Sequence, residues 1–259
     1  MLTLTDIEKV YFTEKEAVHA VSNINLHVEE GEFLSFIGPS GCGKTTVLSI
    51  IAGLLPPTSG EIRLKGNLIK GPTEETGYML QEDYLFPWLT IQKNIELGLT
   101  ITNKLNDKNT KDALHLLIQL GLGDKKDAFP NELSGGMRQR AALVRMLAPK
   151  PSLLLFDEPF SALDYQTKLQ LEDLVFSTLK QQEKTAILVT HDISEAIAMS
   201  DRICLFDMNP GTIKKIFNVP EHLRNKLPFQ ARHDPDFHPF FQKVWKELKD
   251  VEQKDRGAS

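Results

Sequence analysis

The chain has 259 residues, is 41% hydrophobic and 25% charged, and carries no internal repeat or low-complexity segment, which is the balance of a globular protein. A formal net charge of -5 gives no electrostatic reason to expect nucleic acid as a partner. Two cysteines far apart in the chain, Cys42 and Cys204, exclude a disulfide framework and fit a reducing cytosol. Residues 1–8 lack the basic and then apolar pattern of a signal peptide, and no apolar run approaches the roughly 18–20 residues that span a bilayer. The expectation is a soluble chain whose membrane role, if it has one, runs through a partner.

Leu2 and Leu4, then Ile24, Leu26 and Val28, alternate with polar residues as half-buried antiparallel strands do. Glu30 and Gly31 form a turn into a central strand at 33–37. That strand runs into Gly38-Pro39-Ser40-Gly41-Cys42-Gly43-Lys44-Thr45-Thr46, which fits Gly-x-x-x-x-Gly-Lys-[Ser/Thr]. Glycines let the backbone wrap an anion and aim successive N–H groups at phosphate oxygens. Lys44 can neutralise the β- and γ-phosphates, and the Thr45 hydroxyl can ligate Mg²⁺. The apolar run 47–52 predicts a helix whose N-terminus adds its dipole to the loop. The stretch is read as a nucleoside-triphosphate site.

Residues 55–60 are a breaker cluster, followed by short strands at 61–65 and 77–80. From about 91 to 148 the pattern turns helical. Residues 112–120 form an amphipathic helix stopped by Gly121, and the polar run 104–111 reads as a solvated turn. Strand patterns resume at 152–156, 185–189 and 202–206, and the turn at 208–211 leads into 213–219. Phe237, Phe241, Val244 and Leu248 recur at helical spacing, which predicts a terminal helix packed on the core and a polar tail, 252–259, that frays. The fold class is α/β, with a helical insertion in the core.

Gln81, Asp157, Glu158 and His191 each follow a predicted strand, where parallel α/β sheets gather their ligand-binding groups. Asp157 suits the carboxylate that orders a Mg²⁺ shell, and Glu158 suits a general base on the attacking water. Gln81 can bond both Mg²⁺ and water; His191 can sense the γ-phosphate. Asp157 has a helix cap as its bland alternative and His191 a satisfied core histidine, which for an isolated histidine would win; the constellation decides for chemistry. A second cradle lies at Leu133-Ser-Gly-Gly-Met-Arg-Gln-Arg140, where Ser134 caps a helix with Met137, Ala141, Val144 and Ala148 on one face. One chain needs one phosphate cradle, so two imply ATP shared between subunits.

These motifs, in this order, resemble the ATP-binding-cassette (ABC) ATPase family over roughly residues 2–219. The resemblance implies a P-loop cassette with a mixed sheet core, an antiparallel β subdomain and an inserted helical subdomain. The cassette would span 1–219 (core 1–90 and 149–219, helical part about 91–148), and 220–259 would be a C-terminal extension with no room for a long regulatory domain. It implies catalysis by Glu158, His191 and Gln81, and Mg²⁺ on Thr45, Gln81 and Asp157. ATP would meet the phosphate loop of one subunit and Ser134, Gly135, Gly136 and Met137 of the other in a head-to-tail homodimer. Met137 stands where glutamine is typical. Ser161-Ala-Leu-Asp164 matches the family's D-loop and adds Asp164 to the nucleotide site. Tyr11 falls where an aromatic residue stacks on adenine, with Phe12 the neighbouring alternative.

The family docks transmembrane permease subunits beside the glutamine loop, here Glu82-Asp-Tyr-Leu-Phe-Pro-Trp-Leu89; Phe86 and Trp88 read equally as docking or as packing residues. The stretches 81–90, 158–164, 190–196 and 232–237 resemble cassettes of the nitrate, sulfonate and taurine import group, including relatives importing pyrimidine vitamin precursors. That implies an importer on the cytoplasmic face of the membrane, served by an external solute-binding protein. The alternative is a soluble cassette ATPase acting on nucleic acid or ribosomes. Such proteins usually carry long coiled coils or two cassettes in one chain, and neither is present here.

Overall fold

The alternating residues at the start of the chain pair as an antiparallel ladder. In the computed structural model, which describes residues 1–12, 16–161 and 163–258 (the last five in backbone only), β1 (Leu2–Phe12) lies beside β2 (Ala17–Val28) with Leu2 opposite Val28 and Leu4 opposite Leu26. Then follow β3 (Phe33–Ile37), α1 (Lys44–Ile51), β4 (Ser59–Leu64), β5 (Asn67–Leu68), β6 (Thr76–Met79), α2 (Ile91–Ile101), α3 (Asp107–Gln119) and α4 (Gly135–Leu147). The chain ends with β7 (Leu153–Asp157), α5 (Tyr165–Gln181), β8 (Thr185–Val189), α6 (Ile193–Met199), β9 (Arg202–Asp207), β10 (Thr212–Asn218), α7 (Glu221–Arg224), α8 (Pro228–Arg232) and α9 (Phe237–Ala258).

The chain divides into two compact units, Met1–Thr73 with Phe176–Ser259, and Glu74–Val175. In the first, an antiparallel sheet has the order β2-β1-β4-β5, and β9, β3 and β8 run parallel with β10 as an antiparallel edge. β3 and β8 are buried at every position and read as continuous apolar runs, as central parallel strands do. In the second unit, β6 and β7 pair in parallel beside the helices α2, α3 and α4. The fold is mixed α/β with one antiparallel and one largely parallel sheet.

Several elements differ from expectation. α1 begins at Lys44 rather than at the apolar run, because the phosphate loop feeds directly into its first turn. The supposed turn 104–111 is helical from Asp107, since the Asn106 side chain accepts the Asn109 N–H and Asp107 sits in the first turn. β5, α7 and α8 are too short to leave a periodic signal. Asp157 is the last residue of its strand instead of the first beyond it. The tail does not fray at 252: α9 continues to Ala258 because Val251, 1% exposed, extends the buried stripe of Phe237, Val244 and Leu248. That stripe joins Ile37, Ile197, Leu205 and Leu223 in one apolar cluster. Each such aliphatic side chain contributes about 1.5–3 kcal/mol by burial. Ala162 of the expected D-loop and Ser259 of the tail lie outside the described residues.

Candidate nucleotide site

In the first unit, the phosphate loop leaves β3 and His191 leaves β8, and the register Phe36 to Val189 brings both out at the same ends of neighbouring parallel strands. Gly43 is the N-cap of α1 with φ +92°, and a Cβ there would lie 2.3 Å from Val21 Cγ1, so no other residue fits without backbone movement. Lys44 is 8% exposed, and its ammonium donates to the carbonyls of Gly38 and Pro39, both at 2.8 Å. The loop's own carbonyls therefore aim the cation along the curve of residues 38–43. Cys42 Sγ lies 3.5 Å from that ammonium; burial pushes the thiol up, with Lys44 opposing, and the group serves packing. Pro39, Ser40, Gly41, Thr45 and Thr46 complete the loop and the first turn of α1.

His191 is exposed, and its backbone is fixed on both sides. Thr190 Oγ1 accepts from Asp192 N at 3.0 Å, and the Asp192 carboxylate caps α6 by accepting from Ser194 N at 2.8 Å and Glu195 N at 3.3 Å. Tyr11 and Phe12 end β1 at 41% and 78% exposure, with Lys9 Nζ 5.4 Å from the Tyr11 ring centroid. Both aromatic rings are thus exposed, Tyr11 with a cation over one face.

In the second unit, β6 and β7 pair with Met79 opposite Phe156, so Gln81, Asp157 and Glu158 emerge together. Tyr78 Oη donates to Asp157 Oδ2 at 3.3 Å and orients that carboxylate. Glu158 takes φ +49°, a left-handed backbone that costs about 1–3 kcal/mol in a non-glycine residue. Ser161 holds it: its N–H and its hydroxyl both donate to the Glu158 carbonyl, at 3.2 and 2.9 Å. Gln81 Nε2 in turn donates to Ser161 Oγ at 3.2 Å. Sequence reasoning missed Tyr78 as the partner of Asp157; the parallel register of β6 on β7 is the signal that places it. Asp164 turns its carboxylate to Thr167 N at 3.0 Å and starts α5, and the hydroxyl of Thr167 holds the acid below its ordinary range.

Ser134 caps α4 as expected, accepting from Met137 N at 3.4 Å. Gly136 packs so close to α5 that a Cβ would lie 2.6 Å from Thr167 Cγ2, while Ser134 and Gly135 stay exposed. A cleft of about 450 Å³ opens beside this helix start, lined by Gln81, Glu82, Tyr84, Leu85, Gly135 and Gln139 among others. Gln139 is 5% exposed, and its Oε1 has no hydrogen-bond partner among the described residues. Trp88 is 69% exposed, with its ring 5.3 Å from that of Phe86. Neither is a core residue; Leu85 of the same stretch is the one that packs inward.

Each unit by itself carries donors of the kind a magnesium nucleotide takes. In the first, the loop offers glycines, a buried lysine and the Thr45 hydroxyl; in the second, Gln81 and Asp157 offer an amide carbonyl and a carboxylate, oxygen donors suited to a hard cation. Among the described residues, no helix is long and apolar enough to cross a membrane.

A family model described as ABC transporter matches residues 21–161. YtlC of Bacillus subtilis, an uncharacterised ABC transporter ATP-binding protein, is 55% identical over 256 residues, covering 99% of this chain and 98% of its own length. The nitrate import ATP-binding protein NrtD of Synechocystis is 36% identical over 261 residues, covering 99% and 98%. Among solved structures, the dimeric post-hydrolysis state of the ATP-binding cassette MJ0796 bound to ADP and Pi matches with a TM-score of 0.75 at 32% identity, over 85% of this chain and 99% of that one.

Proposed function

This chain belongs to the ABC transporter family of ATP-binding cassettes, with the ATPase activity and importer-type relatives of that family, and we propose that it powers uptake of a small solute of the nitrate, sulfonate or taurine class. It would do so as a homodimer held to the cytoplasmic face of the membrane by permease subunits, which receive solute from an external binding protein. The observation that carries the importer reading is full-length similarity to NrtD, a protein named for nitrate import.

We assign roles by chemical type. The N–H groups of residues 38–46 and the Lys44 ammonium hold the triphosphate, and Tyr11 stacks on the base, with Phe12 beside it. Thr45, Gln81 and Asp157 would hold Mg²⁺, which when bound offsets phosphate charge. Glu158 accepts a proton from the attacking water, Gln81 orients that water, and His191 bonds the γ-phosphate. Ser134, Gly135, Gly136 and Met137 close on the partner's ATP, and Asp164 stands near that junction. The domain division assigned from sequence, a cassette over 1–219 and an extension over 220–259, is retained with these roles.

The exposed Trp88 and Phe86, the cleft lined by the preceding residues 81–85, and the unpartnered Gln139 oxygen support a docking groove for a permease segment carrying an apolar side chain and a hydrogen-bond donor. Uptake of labelled nitrate, taurine and an alkanesulfonate, compared in cells with and without the gene, tests the solute class. Loss of one of the three is the expected result; unchanged uptake of all three refutes the class.

A further inference from the structure

Arg138 and Arg145 leave α4 two helical turns apart on one face and both reach the stretch 82–89. Arg138 Nε donates to Asp83 Oδ2 at 3.0 Å, and its Nη1 donates to the Leu133 carbonyl at 2.9 Å. Arg145 does something different. Its Nη1 donates to the Tyr84 carbonyl and its Nη2 to the Asp83 carbonyl, both at 2.7 Å. One guanidinium fork thus spans two consecutive peptide groups, which only a planar, two-nitrogen donor does in this geometry.

The backbone being gripped is an unusual one. Tyr84 has φ +44°, in the left-handed region that a tyrosine rarely adopts, and Asp83 Oδ1 accepts from Leu85 N at 3.0 Å to complete the turn. Burial pulls the Arg145 guanidinium below its ordinary basicity, with the Asp83 charge opposing. A half-buried cation set against neutral carbonyls supplies orientation more than charge pairing. From the other side, the fully buried Asn94 of α2 accepts from Phe86 N at 2.7 Å and donates to the carbonyls of Phe86, Leu89 and Thr90. The stretch is therefore fastened to the helix that begins at Ser134 by side-chain bonds rather than by apolar contact alone.

We propose that Arg145 is a positioning residue that makes the docking stretch 82–89 and the helix starting at Ser134 move as one body. Displacement of the stretch by a membrane partner is then delivered to the second anion cradle, and ATP closure at that cradle is felt by the stretch in return. The partner half of this inference rests on the docking reading above.

Hydrogen–deuterium exchange of residues 82–89 in the full-length cassette, with and without ATP, is the test. Wild type is expected to show an ATP-dependent change at the amides of Leu85 and Phe86. Arg145→Lys, which keeps the cation and loses the fork, is expected to lose that change while basal ATPase activity stays within about twofold. In complex with the permease that co-purifies, stimulation of ATPase activity by the permease should fall about tenfold in Arg145→Lys, although the permease still binds. A purely structural role would instead lower basal turnover and thermal midpoint together and leave the ATP response proportionate.

If the wild-type stretch does not respond to ATP, or responds equally in Arg145→Lys, the coupling is overturned while the docking reading stands. The wild-type arm needs no variant to fold. If the stretch responds through Arg145 and no permease co-purifies, the docking reading fails and the coupling within the cassette stands.

Discussion

Glu158 sits on a left-handed backbone held by two donors from Ser161, beside an aspartate that Tyr78 orients. Asp157 is thus fixed at the end of a buried strand, and Glu158 is turned out of it. Replacing Glu158 by Gln keeps the shape and removes the carboxylate proposed as the base. Turnover is expected to fall about 10²–10⁴-fold while ATP affinity holds, measured by phosphate release and by equilibrium nucleotide binding. Normal phosphate release in that variant would take Glu158 out of the chemistry. Residues of this kind were legible in the sequence because each sits in a contiguous motif whose chemistry depends on neighbours one to five positions away. Arg145 was not. Its partners are 61 and 62 residues distant, and main-chain carbonyls have no signature in a sequence.

At the scale of elements, the stretch 82–89 depends on Asn94, a buried polar residue in the first turn of α2 whose side chain accepts from Phe86 N and whose amide nitrogen reaches the carbonyls of Phe86, Leu89 and Thr90. Asn94→Ala removes the side-chain partner of Phe86 N and of the Leu89 carbonyl, while the Phe86 and Thr90 carbonyls keep their bonds from Leu89 N and Asn94 N. We expect a loss of about 2–3 kcal/mol, read as a lower urea midpoint, with faster exchange at residues 86–90. An unchanged midpoint would show that the stretch has other fastenings. The strands β3 and β8 and the terminal helix α9 were legible because their apolar periods are strong, whereas α5, Tyr165–Gln181, was not expected at all. Sequence reasoning misplaced the start of α3, where Asn, Asp and Lys suit a turn and a capped first turn of helix equally. It missed β5, whose two residues form no period at all.

At the scale of the whole chain, the C-terminal segment is fastened by ion pairs as well as by its apolar stripe. The Lys226 ammonium bonds Asp234 and the Lys215 ammonium bonds Glu247, and each lysine holds its acid below the ordinary carboxylate range. A lowered folded value means stabilisation that is complete above the unfolded value and lost as pH falls through the folded one. Acidification below about pH 4 should therefore lower the thermal midpoint, and less steeply in Lys226→Met, where the pairing with Asp234 is already gone. Parallel acid curves for the two proteins would show that this pair contributes nothing measurable.

The α/β class was readable from the mixture of strand and helical periods along the chain, whereas the compact units, 1–73 with 176–259 and 74–175, meet at positions with no change of period. The proposed assembly enters only as an implication of two phosphate cradles in one chain, and the solute leaves no mark on residues that handle ATP. The most direct measurement is affinity purification of the tagged chain from gently solubilised membranes, with mass spectrometry and stoichiometry of what accompanies it, alongside the Trp88→Ala variant. The expected result is a permease with several membrane spans at one copy per cassette, with its yield reduced in the variant. Ribosomal or DNA-bound proteins in its place, with no membrane-spanning chain, would contradict the importer reading.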